Sequence, residues 1–258
     1  MKYNILAIGD VVGDNGIEHI AKSLPALKQQ KGIDFTVANG ENASGIGLTA
    51  VQAQAILDAG VDVITLGNHT LSKKEIIPFL EESDRILRPA NYANPTPGRG
   101  HGVFQCGDAK LRIINLIGKC EGEFTDENPF FAADRLLGEQ AEEADFTVMD
   151  FHSGNNGERL TMGYYLDGRI AAVWGTHSHT PTADEQIMEK GTGFVTDLGM
   201  TGPVRSVQGI TPEDNLAACT GGRCYYRIPE GPCKMQGVIF TLDSETGLCT
   251  AVERVDIR

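Results

Sequence analysis

At 258 residues, 41% hydrophobic and 22% charged, the chain is long enough for a large core and has the make-up of a soluble globular protein, so one domain over residues 1–258 is expected. A formal charge of −13 argues against broad binding to nucleic-acid backbone, and no DNA partner is expected. The start, Met1 to Asp10, turns acidic too soon for a signal peptide, and no apolar run reaches the roughly 18 residues of a membrane span; both point to the cytoplasm and away from membranes.

In chain order, Tyr3 to Ile8 reads as a buried strand that runs into the turn Gly9-Asp10-Val11-Val12-Gly13. A helix follows over Gly16 to Gln30, with Ile17, Ile20, Leu24 and Leu27 at helical spacing. A second strand-turn-helix unit runs from Phe35–Ala38 through Gly40-Glu41-Asn42 into a helix over Thr49 to Ala59, with Thr49 as its cap. The third runs from Val61–Leu66 through Gly67-Asn68-His69 into a helix over Lys73 to Glu82, whose continuity Pro78 disturbs. Gly102–Cys106 and Lys110–Ile117, joined at Gly107-Asp108, predict a β-hairpin, and Pro129 to Glu143 a helix. Phe146–Phe151 and Ile170–Trp174 return to the buried-strand pattern, with a helix over Gly157 to Leu166 between them. The final third predicts strands at Gly193–Thr196, Arg223–Ile228, Gln236–Leu242 and Cys249–Val255. Early βα units with a β-rich tail predict an α/β fold: a four-layer α-β-β-α sandwich of two mixed sheets flanked by helices.

The chemistry concentrates at strand ends. His177 and His179, in Gly175-Thr176-His177-Ser178-His179, stand two apart just past a buried strand, where extended backbone sends both imidazoles to one side. An isolated H-x-H is as readily a pair of polar loop histidines. Here, however, Asp10, Glu41 with Asn42, Asn68 with His69, and His152 occupy equivalent places after four other apolar runs. Ligands of open α/β sheets gather outside the carboxyl ends of strands. Oxygen and imidazole donors without thiolate suit iron, manganese or zinc. Neither a G-x-x-x-x-G-K-[ST] nor a G-x-G-x-x-G loop is present, so a nucleotide-binding loop of those types is not expected. The six cysteines are scattered without a C-x-x-C and read as free thiols, with Cys219, Cys224 and Cys233 close enough to leave a minor second metal site open. Arg88 and Arg205 are candidates to meet a phosphate but are more simply structural, as are His19 and His101.

The ordered set Gly9-Asp10, Gly40-Glu41-Asn42, Gly67-Asn68-His69, Asp150-Phe151-His152 and Gly175-Thr176-His177-Ser178-His179 resembles the calcineurin-like metallophosphoesterases, and most closely their YmdB-like branch of 2′,3′-cyclic nucleotide phosphodiesterases. The resemblance implies two transition-metal ions, iron or manganese ahead of zinc. Glu41 would bridge them; Asp10, Asn42 and His179 would complete the first set of ligands, and Asn68, His152 and His177 the second. It also implies hydrolysis of a small phosphate ester or cyclic nucleotide by hydroxide activated on the metals. Separately from the resemblance, bound cations in an acidic chain leave RNA 3′ ends open as substrates. Oligomerisation is left open.

His69 directly follows Asn68, and neighbours on extended backbone point apart, so His69 is expected to be the general acid rather than a ligand. The chain departs from its branch at Leu71-Ser72 and Ser153-Gly154, where Trp-Asp and Ala-Glu are usual; this touches no proposed ligand and puts selectivity in question. Two alternatives remain: a phosphomonoesterase of the same fold, and a low-turnover metal-containing regulatory protein that binds a nucleotide or partner.

Overall fold

The computed structural model describes residues 1–119, 125–138 and 144–258. Its elements are β1 (Lys2–Ile8), β2 (Asp10–Val11), α1 (Gly13–Lys31), β3 (Phe35–Asn39), α2 (Ala50–Asp58), β4 (Val63–Thr65), α3 (Ile77–Glu82), β5 (Ile86–Leu87), β6 (His101–Cys106) and β7 (Ala109–Ile117). There follow α4 (Pro129–Gly138), β8 (Phe146–His152), α5 (Asn156–Leu166), β9 (Ala172–Thr176), β10 (Gln186–Ile187), β11 (Gly193–Val195), β12 (Met200–Pro203), α6 (Pro212–Cys219), β13 (Cys233–Asp243) and β14 (Leu248–Ile257). The last five residues of the helix expected to reach Glu143, and Cys120, lie outside the described residues.

Two mixed sheets form, one ordered β2-β12-β13-β1-β3-β4-β5 with β14 also on β13, the other β10-β11-β9-β8-β7-β6. Alternation along the strands decides which layer each side chain joins. From β1, Leu6 and Ile8 pack outward with Ile17, Ile20 and Leu24 of α1 and Ile56 of α2. Ile5 and Ala7 turn inward, into a core between the sheets that also holds Leu111, Val148, Trp174 and Phe240. Trp174 and Phe240 stack across it with ring centroids 5.7 Å apart. From β8, Met149 and Phe151 face the second outer layer, against Ala132, Leu136, Met162 and Leu166 of α4 and α5. The expected α-β-β-α order is therefore the observed one.

Local signals account for most boundaries. Thr49 accepts from the Gln52 amide and Gln52 reciprocates, a capping box that starts α2. Lys74–Ile76 forms a 3-10 turn before α3, and Pro78 falls in the first turn of α3, where its missing N–H breaks no helical bond. One predicted strand is corrected: Arg223–Ile228 is irregular chain. Tyr226 has φ 54°, outside the extended region, and the backbone of Arg227 bonds to Asp214 and Thr211 rather than to a strand. Among the described residues no helix is long and apolar enough to cross a membrane.

Parallel pairing then sets the site. β1, β3 and β4 lie parallel in one sheet, and β7, β8, β9 and β11 in the other, so each sheet gathers several carboxyl ends along one edge.

Candidate functional site

All seven ligand candidates come together where those edges meet. His152 ends β8 and is fully buried; its Nε2 lies 2.9 Å from Asn68 Oδ1, 3.0 Å from Glu41 Oε1 and 2.9 Å from His177 Nδ1. Beside this group, His179 Nε2 stands 3.2 Å from Asn42 Oδ1 and 3.7 Å from Asp10 Oδ1. The Asp10 carboxylate links the two groups, because its Oδ2 accepts the His177 backbone N–H at 3.2 Å. Its Oδ1 is buried with no hydrogen-bond partner.

These distances are informative. One imidazole nitrogen carries at most one proton, so it cannot satisfy three neighbours at hydrogen-bond distance. Two donors bound at about 2.1 Å and at right angles around one cation stand about 3.0 Å apart, the spacing found here. An orphaned carboxylate oxygen at the same place is a further demand for positive charge.

The rest of the arrangement orients these atoms. His152 Nδ1 lies 2.9 Å from Thr176 Oγ1, whose hydroxyl donates to Asp150 Oδ1 at 2.8 Å; Thr65 donates to Asp150 Oδ2. With Nδ1–H donating to Thr176, the lone pair of Nε2 faces the cluster. His179 is set the same way by the Gln208 carbonyl, 3.0 Å from its Nδ1. The Asn42 amide nitrogen donates to Gly45 O, which turns its oxygen toward His179.

The His-Ser-His turn is itself strained, with φ of 109° at His177 and 59° at His179. It is held by the buried Arg159–Asp197 ion pair: Arg159 also bonds Thr176 O and Ser178 Oγ, and Asp197 accepts the Ser178 N–H.

The charge balance agrees. Burial would lower the basicity of His152, but the carboxylates of Glu41, Asp10 and Asp150 reverse this and push it up to about 9. Burial would raise Glu41, yet the His152 imidazole and its hydrogen bond hold that carboxyl at about 2. Burial pushes Asp150 up to about 6, against the bonds from Thr65 and the charge of His152. The carboxylates of Glu41, Asp10 and Asp150 thus make the centre of the cluster a place that favours positive charge.

His69 lines the adjoining cavity but is outside the ligand-capable group of Glu41, His152 and His177. Its backbone N–H donates to Glu41 Oε2 at 2.9 Å, and its Nε2 is 3.4 Å from Asn68 Nδ2.

The cavity, about 250 Å³, is lined by Glu41, Asn42, His177 and His179 of this cluster, by His69, and by the apolar Val12, Ile46, Ile210, Tyr226 and Ile228. Arg88 bonds the carbonyls of Pro89 and Thr96, Arg205 is exposed, and neither lines the cavity. Ser153 is buried and donates to Glu158, and Gly154 is exposed, so these departures lie away from the cavity lining. Cys219, Cys224 and Cys233 are free and form no ligand group among the described residues.

The sequence left four contributors without a role. Asp150 was legible, since D-x-H on a strand puts both side chains on one face. Thr176, Gln208 and Tyr226 carried no such signal.

Two mixed sheets in an α-β-β-α sandwich, with donor side chains gathered between their carboxyl edges, define the calcineurin-like metallophosphoesterase fold. The profile of the family described as YmdB-like protein matches residues 6–255, and the chain belongs to that family, as its motifs led us to expect. It is 39% identical over 253 residues to a 2′,3′-cyclic-nucleotide 2′-phosphodiesterase of Bacillus subtilis, covering 97% of this chain and 96% of that one. Among solved structures, a novel phosphatase from Mycoplasma pneumoniae superposes with a TM-score of 0.92 at 31% identity, covering 100% of this chain and 94% of the other. A hypothetical protein from Thermus thermophilus superposes with a TM-score of 0.89 at 35% identity, covering 98% of each.

Proposed function

We propose that this chain is a metal-dependent phosphodiesterase acting on 2′,3′-cyclic nucleotides, with two transition-metal ions and His69 as general acid. The observation that carries the reading is the convergence on His152 Nε2 of Asn68, Glu41 and His177 at 2.9–3.0 Å, beside the unpartnered Asp10 Oδ1. Glu41 would bridge the ions; Asp10, Asn42 and His179 would hold one, and Asn68, His152 and His177 the other. The donor set fits iron or manganese, with zinc as the third choice. Bound there, the ions would supply a Lewis-acid clamp on the phosphoryl oxygens and lower the pKa of water.

The chain's own residues would do the rest. Glu41, held at about 2 by His152, stays ionised through the physiological range and contributes a fixed negative charge beside His152 and His69. Thr176 and Gln208 keep the His152 and His179 lone pairs inward. His69, on the cavity and outside the ligand group, would give its proton to the departing ribose oxygen, which otherwise leaves as an alkoxide. The name of the Bacillus subtilis relative supports the choice of substrate. The reading puts the chain in the cytoplasm, where the free thiols of Cys106, Cys219, Cys224, Cys233 and Cys249 would stay reduced.

Metal analysis of purified protein, with turnover of cyclic nucleotides and of monoesters, tests this. About two ions per chain and faster cleavage of the cyclic diesters are expected. Metal-free protein with full activity would overturn it.

A further inference from the structure

Part of the apolar wall of the cavity, Tyr226 and Ile228, belongs to a segment tied down at several points. Asp214, at the start of α6, accepts from Arg227 Nε at 3.0 Å, Nη2 at 2.7 Å and the Arg227 backbone N–H at 3.0 Å, while Thr211 N–H donates to Arg227 O at 2.8 Å. Asn15 donates to Pro229 O at 3.1 Å. Between these ties Ile228 packs onto Gly13, so closely that a Cβ there would lie 3.0 Å from Ile228 Cγ2. The result is Tyr226, held at φ 54° in a conformation that aromatic residues seldom adopt, on the cavity and yet 54% exposed. A strained, half-exposed aromatic at the rim of a site is not explained by core packing.

The chemistry of the lining restricts what fits. Among the described lining residues there is no lysine or arginine, so an anion can be met only at the donor cluster. The apolar part of the lining is Val12, Ile46, Ile210, Ile228 and Tyr226. A ligand that satisfies both parts carries a small anionic group at one end and a flat, neutral, apolar ring at the other. The volume of about 250 Å³ suits one such unit, not a chain of them.

We propose that this wall is the nucleobase subsite, with Tyr226 the stacking surface that sets substrate choice and the Asp214–Arg227 pair the tie that positions it. The proposal rests on the phosphodiesterase reading above. Every base presents a π-face, so the subsite favours nucleosides over bare sugar phosphates while discriminating weakly among bases.

The test compares adenosine 2′,3′-cyclic phosphate with methyl riboside 2′,3′-cyclic phosphate, which lacks the base, in wild type, Tyr226→Ala and Tyr226→Phe; binding of adenosine 3′-monophosphate is measured alongside by calorimetry. Tyr226→Ala should raise KM for the nucleotide about tenfold, the size of effect expected from losing one base–aromatic stacking contact. It should leave kcat within about twofold and KM for the methyl riboside unchanged, and Tyr226→Phe should restore the nucleotide KM. Equal changes on both substrates, or none on either, overturn the subsite. If wild type hydrolyses neither compound but binds the monophosphate in a Tyr226-dependent way, the subsite stands and the hydrolytic reading falls. No binding and no turnover overturns both.

Discussion

The floor and the wall of the cavity are made in opposite ways. Every floor donor sits at or just past a strand end, and most are buried and fixed by a second partner: Thr176 behind His152, Gln208 behind His179, Gly45 behind Asn42. The wall belongs to neither sheet; it is irregular chain from 206 to 210 and 223 to 230, and its second stretch is held by backbone bonds, by Asn15 and by an ion pair whose arginine side chain is 64% exposed. The difference teaches that this fold can place its donor residues with its sheets while leaving part of the cavity wall to a separately tethered segment. Changes to the floor should therefore abolish turnover, and changes to the wall should only redirect it.

The largest effect is expected from Glu41→Gln, which removes the negative charge beside His152 while keeping the shape. At least one ion per chain should be lost, with activity down by more than about 10⁴-fold, beyond the usual loss from removing a general acid. Unchanged metal content by elemental analysis would break the two-ion scheme. Next is His69→Ala: a fall of about 10² to 10⁴ on an alkyl leaving group, much less on an acidic phenol that needs no proton, and metal retained. An equal loss on both esters would take His69 out of the acid role.

Thr176→Val tests the layer behind the floor. It strips the nearer partner from His152 Nδ1, leaving Asn39 Nδ2 at 3.5 Å, and one donor from Asp150, and should weaken metal binding about 10 to 100-fold in a competition titration with a chelator. Unaltered affinity would mean that His152 is oriented by packing and Asn39.

The smallest effect, and the one that separates the regions, comes from Asp214→Asn. Amide exchange through 223–228 should speed up about tenfold at neutral pH while metal content and thermal midpoint hardly move. In the native chain the bonds from Arg227 outweigh burial and hold the Asp214 carboxyl below its ordinary range. Its contribution is therefore complete above the unfolded carboxylate pKa of about 3.9 and is lost as pH falls further toward the depressed folded value. Mass-spectrometric exchange between pH 2 and 6 should show the segment loosening only in the acid half. Loosening that starts above pH 5 would assign the tether to another group.

The same division explains what was legible in the sequence. The strand ends could be read because an apolar run, a glycine and a polar residue are adjacent in the chain, and the parallel order of β1, β3 and β4 carries them to one edge. Glu41, His152 and His177 are far apart in sequence, but each was marked by its own strand. The wall had no such marker. Arg223 to Ile228 has strand-like composition, and what prevents a strand is a carboxylate on α6 together with a left-handed Tyr226. Helix α6 itself was signalled by Thr211-Pro212-Glu213-Asp214, a cap, a first-turn proline and two acids, a pattern that the β-rich surroundings obscured. That Val12, Ile46, Ile210 and Ile228 would share a surface follows only from the packing of four separate loops.

Gly67 is a point of contact between the two sheets. A methyl group built there would sit 2.3 Å from the His152 ring, so the backbone beyond β4 of one sheet touches an imidazole at the end of β8 in the other. The separation of the sheets is thus a dimension of the donor cluster itself, and the core around Trp174 and Phe240 works as the spacer of a caliper whose jaws are Asn68 and His152. Heat, pressure or a core cavity that changed that gap by a few tenths of an ångström would be registered first as a change in the grip on a cation, before any strand came loose.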